Sequence, residues 1–191
     1  MSGQNPTDPI RDIRAIRNIK NMLKQEGKKV EYLFFVTGIN SGLRTSDHRS
    51  LTVGSLWDID GNPQKSFSLR TKKTGKFTPT PINDSIQEAM RFSNDAFPLY
   101  DLDAPLFPIT RQTASRWVKK WCEVVGLDEG IYASHSLRKT FGLQLWVQNG
   151  KSFEALLHVS EALGHKDVTT TLTYLGIRRQ DVAKMQKALN L

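Results

Sequence analysis

His165 and Tyr174 stand nine residues apart near the end of a 191-residue chain, in the stretch Leu163-Gly-His-Lys-Asp-Val-Thr-Thr-Thr-Leu-Thr-Tyr174. In one continuous helix, nine steps of about 100° turn by half a circle, so the two rings would face opposite sides and could not share a substrate. The stretch carries its own interruption. Gly164 ends one helix and Asp167 is a good N-cap for the next, leaving His165 in a junction and Tyr174 on a new helix. A fold that uses both side chains together has to break between them.

The rest of the chain reads as mainly helical. Residues 1–9 are polar apart from Gly3, Pro6 and the final Pro9, and predict a flexible arm; Asp8 followed by Pro9 marks a helix start, cap then proline in the first turn. Ile10, Ile13, Ile16 and Ile19 lead to Met22 and Leu23 as one apolar stripe. Beside it run Arg11, Arg14, Arg17 and Lys20, either a solvated face or cations spaced to follow a nucleic-acid backbone. Glu31 to Val36 is an apolar and aromatic run that leads into Thr37-Gly38-Ile-Asn-Ser-Gly42-Leu-Arg44-Thr-Ser-Asp47. The glycines there allow close backbone approach. Asp47 reads as the partner of Arg44, in a structural ion pair or as a brace presenting the arginine to an anion.

Leu56 to Ile59, Ser66 to Thr71 and Phe77 to Ile82 are short β-like segments separated by Asp60-Gly61-Asn62 and Lys73-Thr74-Gly75-Lys76, which predicts a small three-stranded antiparallel sheet. Lys72, Lys73 and Lys76 crowd the second turn, where lysines also discourage edge pairing. Helices are predicted over 84–93, 110–125, 134–148, 153–163 and 178–189. On the second of these Trp117, Trp121 and Val125 share the buried face, with Arg111, Arg116, Lys119 and Lys120 off it. The fold class is thus α+β, mainly helical with one small sheet, and residues 10–191 read as a single domain.

With 27 Lys+Arg against 19 Asp+Glu the formal net charge is +8, which favours a polyanionic partner, nucleic acid or an anionic membrane surface. No run approaches the ~18 apolar residues of a membrane span, which argues against the membrane. Cys122 is the only cysteine, and there is no His-Glu-x-x-His and no Gly-rich phosphate loop. We therefore expect no disulfide framework, no metal, no small-molecule cofactor and a reducing, cytoplasmic setting.

Ser134-His135-Ser-Leu-Arg138-Lys139-Thr-Phe is the second informative stretch. His135 and Arg138, three apart, share a face in the first turn of a helix, where unpaired backbone N–H groups and the dipole favour an anion. Arg44 in Thr-Gly-x-x-x-Gly-Leu-Arg-x-Ser-Asp, Lys73 on the hairpin, His135-x-x-Arg138, Leu-Gly-His165 and Tyr174 follow one another in this order. Together they resemble the catalytic domain of tyrosine recombinases, the lambda-type phage integrases and Xer-type recombinases, over residues 10–189. The resemblance implies metal-free cleavage and rejoining of double-stranded DNA. Tyr174 is the implied nucleophile, giving a 3'-phosphotyrosyl enzyme, and Arg44 and Arg138 the forks on the phosphate oxygens. It also implies that His135 and His165 share the proton transfer and phosphate contacts, and that Lys73 protonates the departing 5'-oxygen, with Lys72 and Lys76 as second choices. DNA contacts are expected from Lys72, Lys76, Lys139, Arg111, Arg116, Lys119, Arg11, Arg14 and Arg17.

The sequence departs from the family pattern at Lys139, where many relatives carry a second histidine, and at Asp47, where glutamate is frequent. Relatives usually carry an N-terminal core-binding domain, so the chain reads as a fragment or a solitary catalytic domain. Relatives also imply a monomer without DNA and a homo-oligomer on it, a synaptic tetramer, with Val182, Met185 and Leu189 facing a neighbour or folding back. Two alternatives stay open: a type IB topoisomerase-like activity without recombination, and a non-catalytic DNA-binding protein on the same fold. Thr169, Thr170, Thr171 and Thr173 weaken the tyrosine helix by roughly a few tenths of a kcal/mol each. Without DNA we expect Tyr174 to be poorly ordered or turned from the phosphate site.

Overall fold

A computed structural model describes residues 7–70, 77–177 and 186–189. Its centre is α2 (Lys29–Ser41), in which Tyr32, Leu33, Phe34, Phe35 and Val36 are all fully buried. A helix apolar on every side must be wrapped by others. Here α1 (Ile13–Gln25), α5 (Asp84–Ser93) and α7 (Ser134–Gln148) pack against it, and α6 (Arg111–Val124) closes the layer through Trp121, edge-on to Phe35. The short α3 (Thr45–His48) follows α2 directly. Gly42 makes that junction with φ 64°, and a Cβ there would come within 2.5 Å of the Phe141 ring on α7. A left-handed residue under close packing has to be glycine. The end of α2 thereby lies against α7.

A second, smaller core joins α7 to α8 (Phe153–Ala162) and α9 (Val168–Leu175) through Leu143, Leu156, Val159, Leu163 and Leu175. Tyr174 packs on its margin.

The sheet has two strands, not three. β1 (Ser66–Arg70) pairs antiparallel with β2 (Phe77–Pro81), Phe67 opposite Thr80. The expected first strand begins instead in α4 (Val53–Leu56), because Val53 and Leu56, three apart, both turn into the core and Ser55 Oγ accepts from Thr52 N at 3.0 Å. The Asp60-Gly61-Asn62 turn does form. Asp58 Oδ1 accepts from Asn62 N at 2.8 Å and Trp57 bridges Pro63, yet proline ends the ladder and Ile59 is 84% exposed.

The N-terminus also differs from expectation. Helix α1 starts at Ile13, with Asp12 as the cap, its side chain accepting from Arg14 N at 2.8 Å. Asp8 is used elsewhere, its N–H donating to Ile131 O at 2.7 Å, and Thr7, Pro9 and Ile10 are buried. The end of the expected arm is therefore packed; residues 1–6 lie outside the described ones. Ile13 is 47% exposed, since a three-residue spacing drifts round a 3.6-residue turn. Asn83 caps α5 by accepting from Ile86 N, and Thr110, expected as the first residue of its helix, instead caps α6 by accepting from Thr113 N. Helix α7 begins at Ser134, with Ala133 rather than Ser134 at the cap position and Ser136 Oγ accepting from Ala133 N at 3.1 Å. Val182 and Met185 of the expected last helix are outside the described residues, and Leu189 is 65% exposed.

Candidate active site

The break between His165 and Tyr174 is present. Gly164 takes φ 58°, His165 N donates to Ser160 O at 2.9 Å to finish α8, and Asp167 Oδ1 accepts from Thr170 N at 2.7 Å to begin α9. The two rings consequently meet edge to face, centroids 4.9 Å apart. Thr171, fully buried three residues before Tyr174, holds the histidine through a 2.9 Å contact between Oγ1 and Nδ1. Sequence reading weighed Thr171 only as a poor helix former. A hydroxyl six residues after a junction histidine was the available signal.

On α7 the first turn supplies His135 and Arg138. The Tyr174 hydroxyl lies 2.9 Å from His135 Nε2, with ring centroids 5.3 Å apart. Burial pushes the phenol up to about 12, while Arg138 and Arg44 pull against that shift. Burial, then the charges of Arg138, Lys139, Arg111 and Arg44, push His135 down to about 4. With the values in that order the phenol keeps its proton and donates it to an unprotonated Nε2, so the imidazole carries its own hydrogen on Nδ1. Tyr174 is thus docked in the site, contrary to the expectation that it turns away. Packing of Thr171 and Leu175 and the Asp167 cap outweigh the weak propensity of the threonines.

Arg138 is only 6% exposed and donates from Nη1 to Gly42 O and from Nη2 to Leu163 O. It ties the ends of α2 and α8 to α7 and retains further N–H donors of its five. Arg44, at the N-cap of α3, is half-buried, and among the described residues no hydrogen bond or ion pair occupies its guanidinium. Its charge nevertheless reaches both Tyr174 and His135.

Asp47 does not brace Arg44. It is buried, receives the Ser46 hydroxyl at 3.3 Å, and forms no ion pair among the described residues; its charge acts on Arg138 instead. Across the one-turn α3 Asp47 is buried while Arg44 is half-buried with its charge acting on Tyr174 and His135, a divergence that residue spacing in an undetermined turn could not show. Behind it His48 stacks on Phe34 at 4.3 Å and lies 2.6 Å from Thr37 Oγ1. The Thr37 hydroxyl spends its hydrogen on Leu33 O at 2.7 Å, so His48 Nε2 is the donor.

The cations expected on DNA separate into groups. Lys139 is a wall of the site: Nζ donates to Thr7 O at 2.7 Å and sits 5.0 Å over the Tyr174 ring. Arg11 Nη2 donates to Leu175 O at 3.1 Å, and Arg14 pairs with Asp12 at 3.4 Å. Lys119 pairs with Glu123 at 3.6 Å along α6, and Arg116 donates to Thr113 Oγ1 at 3.3 Å. Arg111, exposed at the start of α6, and Arg17, exposed on α1, stay open to solvent. Lys72, Lys73 and Lys76 lie outside the described residues.

Two histidines, His48 buried and His135 half-buried, set a pH dependence. His48 is pushed down to about 3 by burial and His135 to about 4, against 6.5 for an ordinary histidine. Below that ordinary value the unfolded chain binds more protons than the folded one, so this stability is fully present above pH ~6.5 and is lost as pH falls towards ~4 and ~3. Urea midpoints should decline steadily from pH ~6 to ~4. A flat profile over that range would contradict neutral histidines in the fold.

A helical domain that gathers two arginines, two histidines and a lysine around one half-buried phenol has the makings of a DNA strand-transfer enzyme. A model of the phage integrase family matches residues 12–180. The chain is 30% identical over 169 residues to the probable integrase/recombinase YoeC of Bacillus subtilis (strain 168), covering 88% of this chain and 89% of that protein. It is 29% identical over 161 residues to tyrosine recombinase XerD of Xanthomonas axonopodis pv. citri (strain 306), covering 76% of this chain and 50% of that protein. Its fold resembles that of the XerH site-specific recombinase bound to palindromic difH substrate in a post-cleavage complex, with a TM-score of 0.66, 15% identity, and coverage of 96% of this chain and 53% of that one. The chain belongs to the phage integrase family, the tyrosine recombinases, enzymes that cleave and rejoin DNA. Among the described residues no helix is long and apolar enough to cross a membrane.

Proposed function

We propose that Tyr174 is the nucleophile with which this chain cleaves and rejoins double-stranded DNA at specific sites, and that residues 10–191 act as one catalytic domain. The contact that carries the reading is the 2.9 Å bond from the Tyr174 hydroxyl to His135 Nε2, made where the charges of Arg138 and Arg44 act on the phenol. The tyrosine oxygen attacks the scissile phosphorus and the bond to the 5'-oxygen breaks. The phenolic proton passes to His135 Nε2, and Lys73 supplies a proton to the departing oxygen. Arg44, the remaining N–H groups of Arg138 and His165 take up charge on the non-bridging oxygens, where directed donors contribute most. The phosphodiester energy is kept in the phosphotyrosine, so religation needs no nucleotide.

Arg111, Arg116, Arg17 and the lysines of the β1–β2 turn form the DNA-facing surface in this reading, and Asp47 supports the arginine pair through Arg138. The protein works in the cytoplasm, as a monomer without DNA and a homo-oligomer on it. A duplex nicked beside the cleavage point traps the intermediate, because the short leaving strand diffuses away. With chelator present, an adduct should form at the 3' end that the break creates, survive SDS and carry its phosphate on Tyr174. A protein that binds the cognate duplex tightly yet never forms the adduct would be a DNA-binding regulator instead.

A further inference from the structure

The catalytic pair is split between two elements: His135 belongs to α7 and Tyr174 to α9. With eight residues, α9 is too short to keep its place by helical propensity alone. Its N-terminus is fixed by Asp167. Its C-terminus ends at Leu175, whose carbonyl accepts from Arg11 Nη2, a residue 164 positions away. The last carbonyls of a helix carry the negative end of its dipole, and a cation there is favourable. Next to it Gly176 turns with φ 69°, and a Cβ at that position would come to 3.2 Å from Arg11 Nη2. The guanidinium occupies the place a side chain would take.

The segment that presents Arg11 is itself fastened along α7. Ile10, fully buried, donates its N–H to Thr140 Oγ1 at 2.8 Å, and Gln144 Nε2 donates to Arg11 O at 3.2 Å. Thr7 O accepts from Lys139, whose ammonium also lies over the Tyr174 ring. Asp8 and Ile131 exchange two bonds, Asp8 N to Ile131 O at 2.7 Å and Ile131 N to Asp8 Oδ2 at 3.1 Å. Residues 7–11 therefore form a strap from the approach to α7, along that helix, to the end of α9.

We infer that Arg11 is a positioning residue for Tyr174: the strap joins the helix of the base to the helix of the nucleophile, and its arginine sets where the phenol stands. The inference rests on Tyr174 being the nucleophile. It replaces a phosphate contact as the function of this side chain.

Arg11→Ala and Arg11→Lys are compared with wild type in single-turnover adduct formation on the nicked duplex and in amide hydrogen exchange of residues 168–176 without DNA. Misplacing a reacting group by about 1 Å costs up to about 100-fold. Arg11→Ala should lower the rate at saturating DNA at least ~10-fold, with duplex affinity and its salt dependence unchanged. Exchange at 168–176 should quicken, and Arg11→Lys, which keeps a cation at the helix end, should recover much of both. A phosphate contact behaves differently: affinity falls, the salt slope drops by about one, and the saturated rate holds. That pattern, or an unchanged rate with unchanged exchange, overturns the inference. A wild type that forms no adduct defeats the nucleophile reading instead, and the exchange comparison alone then decides the anchoring.

Discussion

A Tyr174→Phe variant is expected to form no covalent DNA adduct, with the signal at the detection limit rather than merely reduced. The substitution removes one oxygen and leaves the ring, so the edge contacts with His135 and His165 and the packing beside Leu172 and Leu175 remain. The lost interactions are the hydrogen bond to His135 Nε2, a ring half-buried and within reach of water, and the weaker pull of Arg138 on the hydroxyl. Its removal should change stability by about 1 kcal/mol or less. Duplex affinity should stay close to that of wild type, because the substitution removes none of the cations proposed to meet phosphate. The two readouts together, abolished adduct with preserved affinity and urea midpoint, separate loss of a nucleophile from loss of a fold. A residual adduct in this variant would move the nucleophile to another residue.

Arg138→Ala should fail on both counts. Its guanidinium bridges Gly42 O and Leu163 O, joining the C-terminal ends of α2 and α8 to the first turn of α7. Truncation leaves two carbonyls without that partner at about 1–3 kcal/mol each, offset in part because a buried charge is also removed. A net destabilisation of about 2–4 kcal/mol is expected, read as a lower urea midpoint. The adduct rate should fall at least ~100-fold to 1,000-fold, the cost of one lost charge-stabilising donor, and further where Gly42 and the adjoining Arg44 shift. Arg138→Lys tests the fork itself. A lysine restores the charge but cannot donate to both carbonyls in one geometry, so stability should recover more than activity. Wild-type stability in the alanine variant would show that the bridge is not a structural tie.

How far residues alone reveal such a site depends on the range of the interaction. The helix break was readable because it is local: Gly164 and Asp167 each act on backbone groups within one turn. The same holds for His135 and Arg138, which share a face by spacing alone. The third strand was misread for a related reason. Alternation over residues 56–59 is too short to outweigh the pull of Val53 and Leu56 into the core, which is a property of what lies beneath them.

Asp47 and Arg44 look like a pair in sequence, yet among the described residues no ion pair joins them: Asp47 is buried and its charge acts on Arg138, while Arg44 acts on Tyr174 and His135. The four-cation stripe of Arg11, Arg14, Arg17 and Lys20 reads as one surface. Its first member is taken by a carbonyl 164 residues away and its second by Asp12.

By itself the sequence determined the chemistry present: two arginines, two histidines and a tyrosine in family order, with the interruption that lets His165 and Tyr174 face the same way. Only the tertiary structure decided how that chemistry is held. It set the phenol against His135 rather than in solvent, burial kept the phenol protonated and the imidazole neutral, and the exposed Arg11 was brought to the Leu175 carbonyl at the end of the tyrosine helix. These outcomes depend on desolvation and on contacts between segments far apart in the chain, quantities that exist only once the helices have packed.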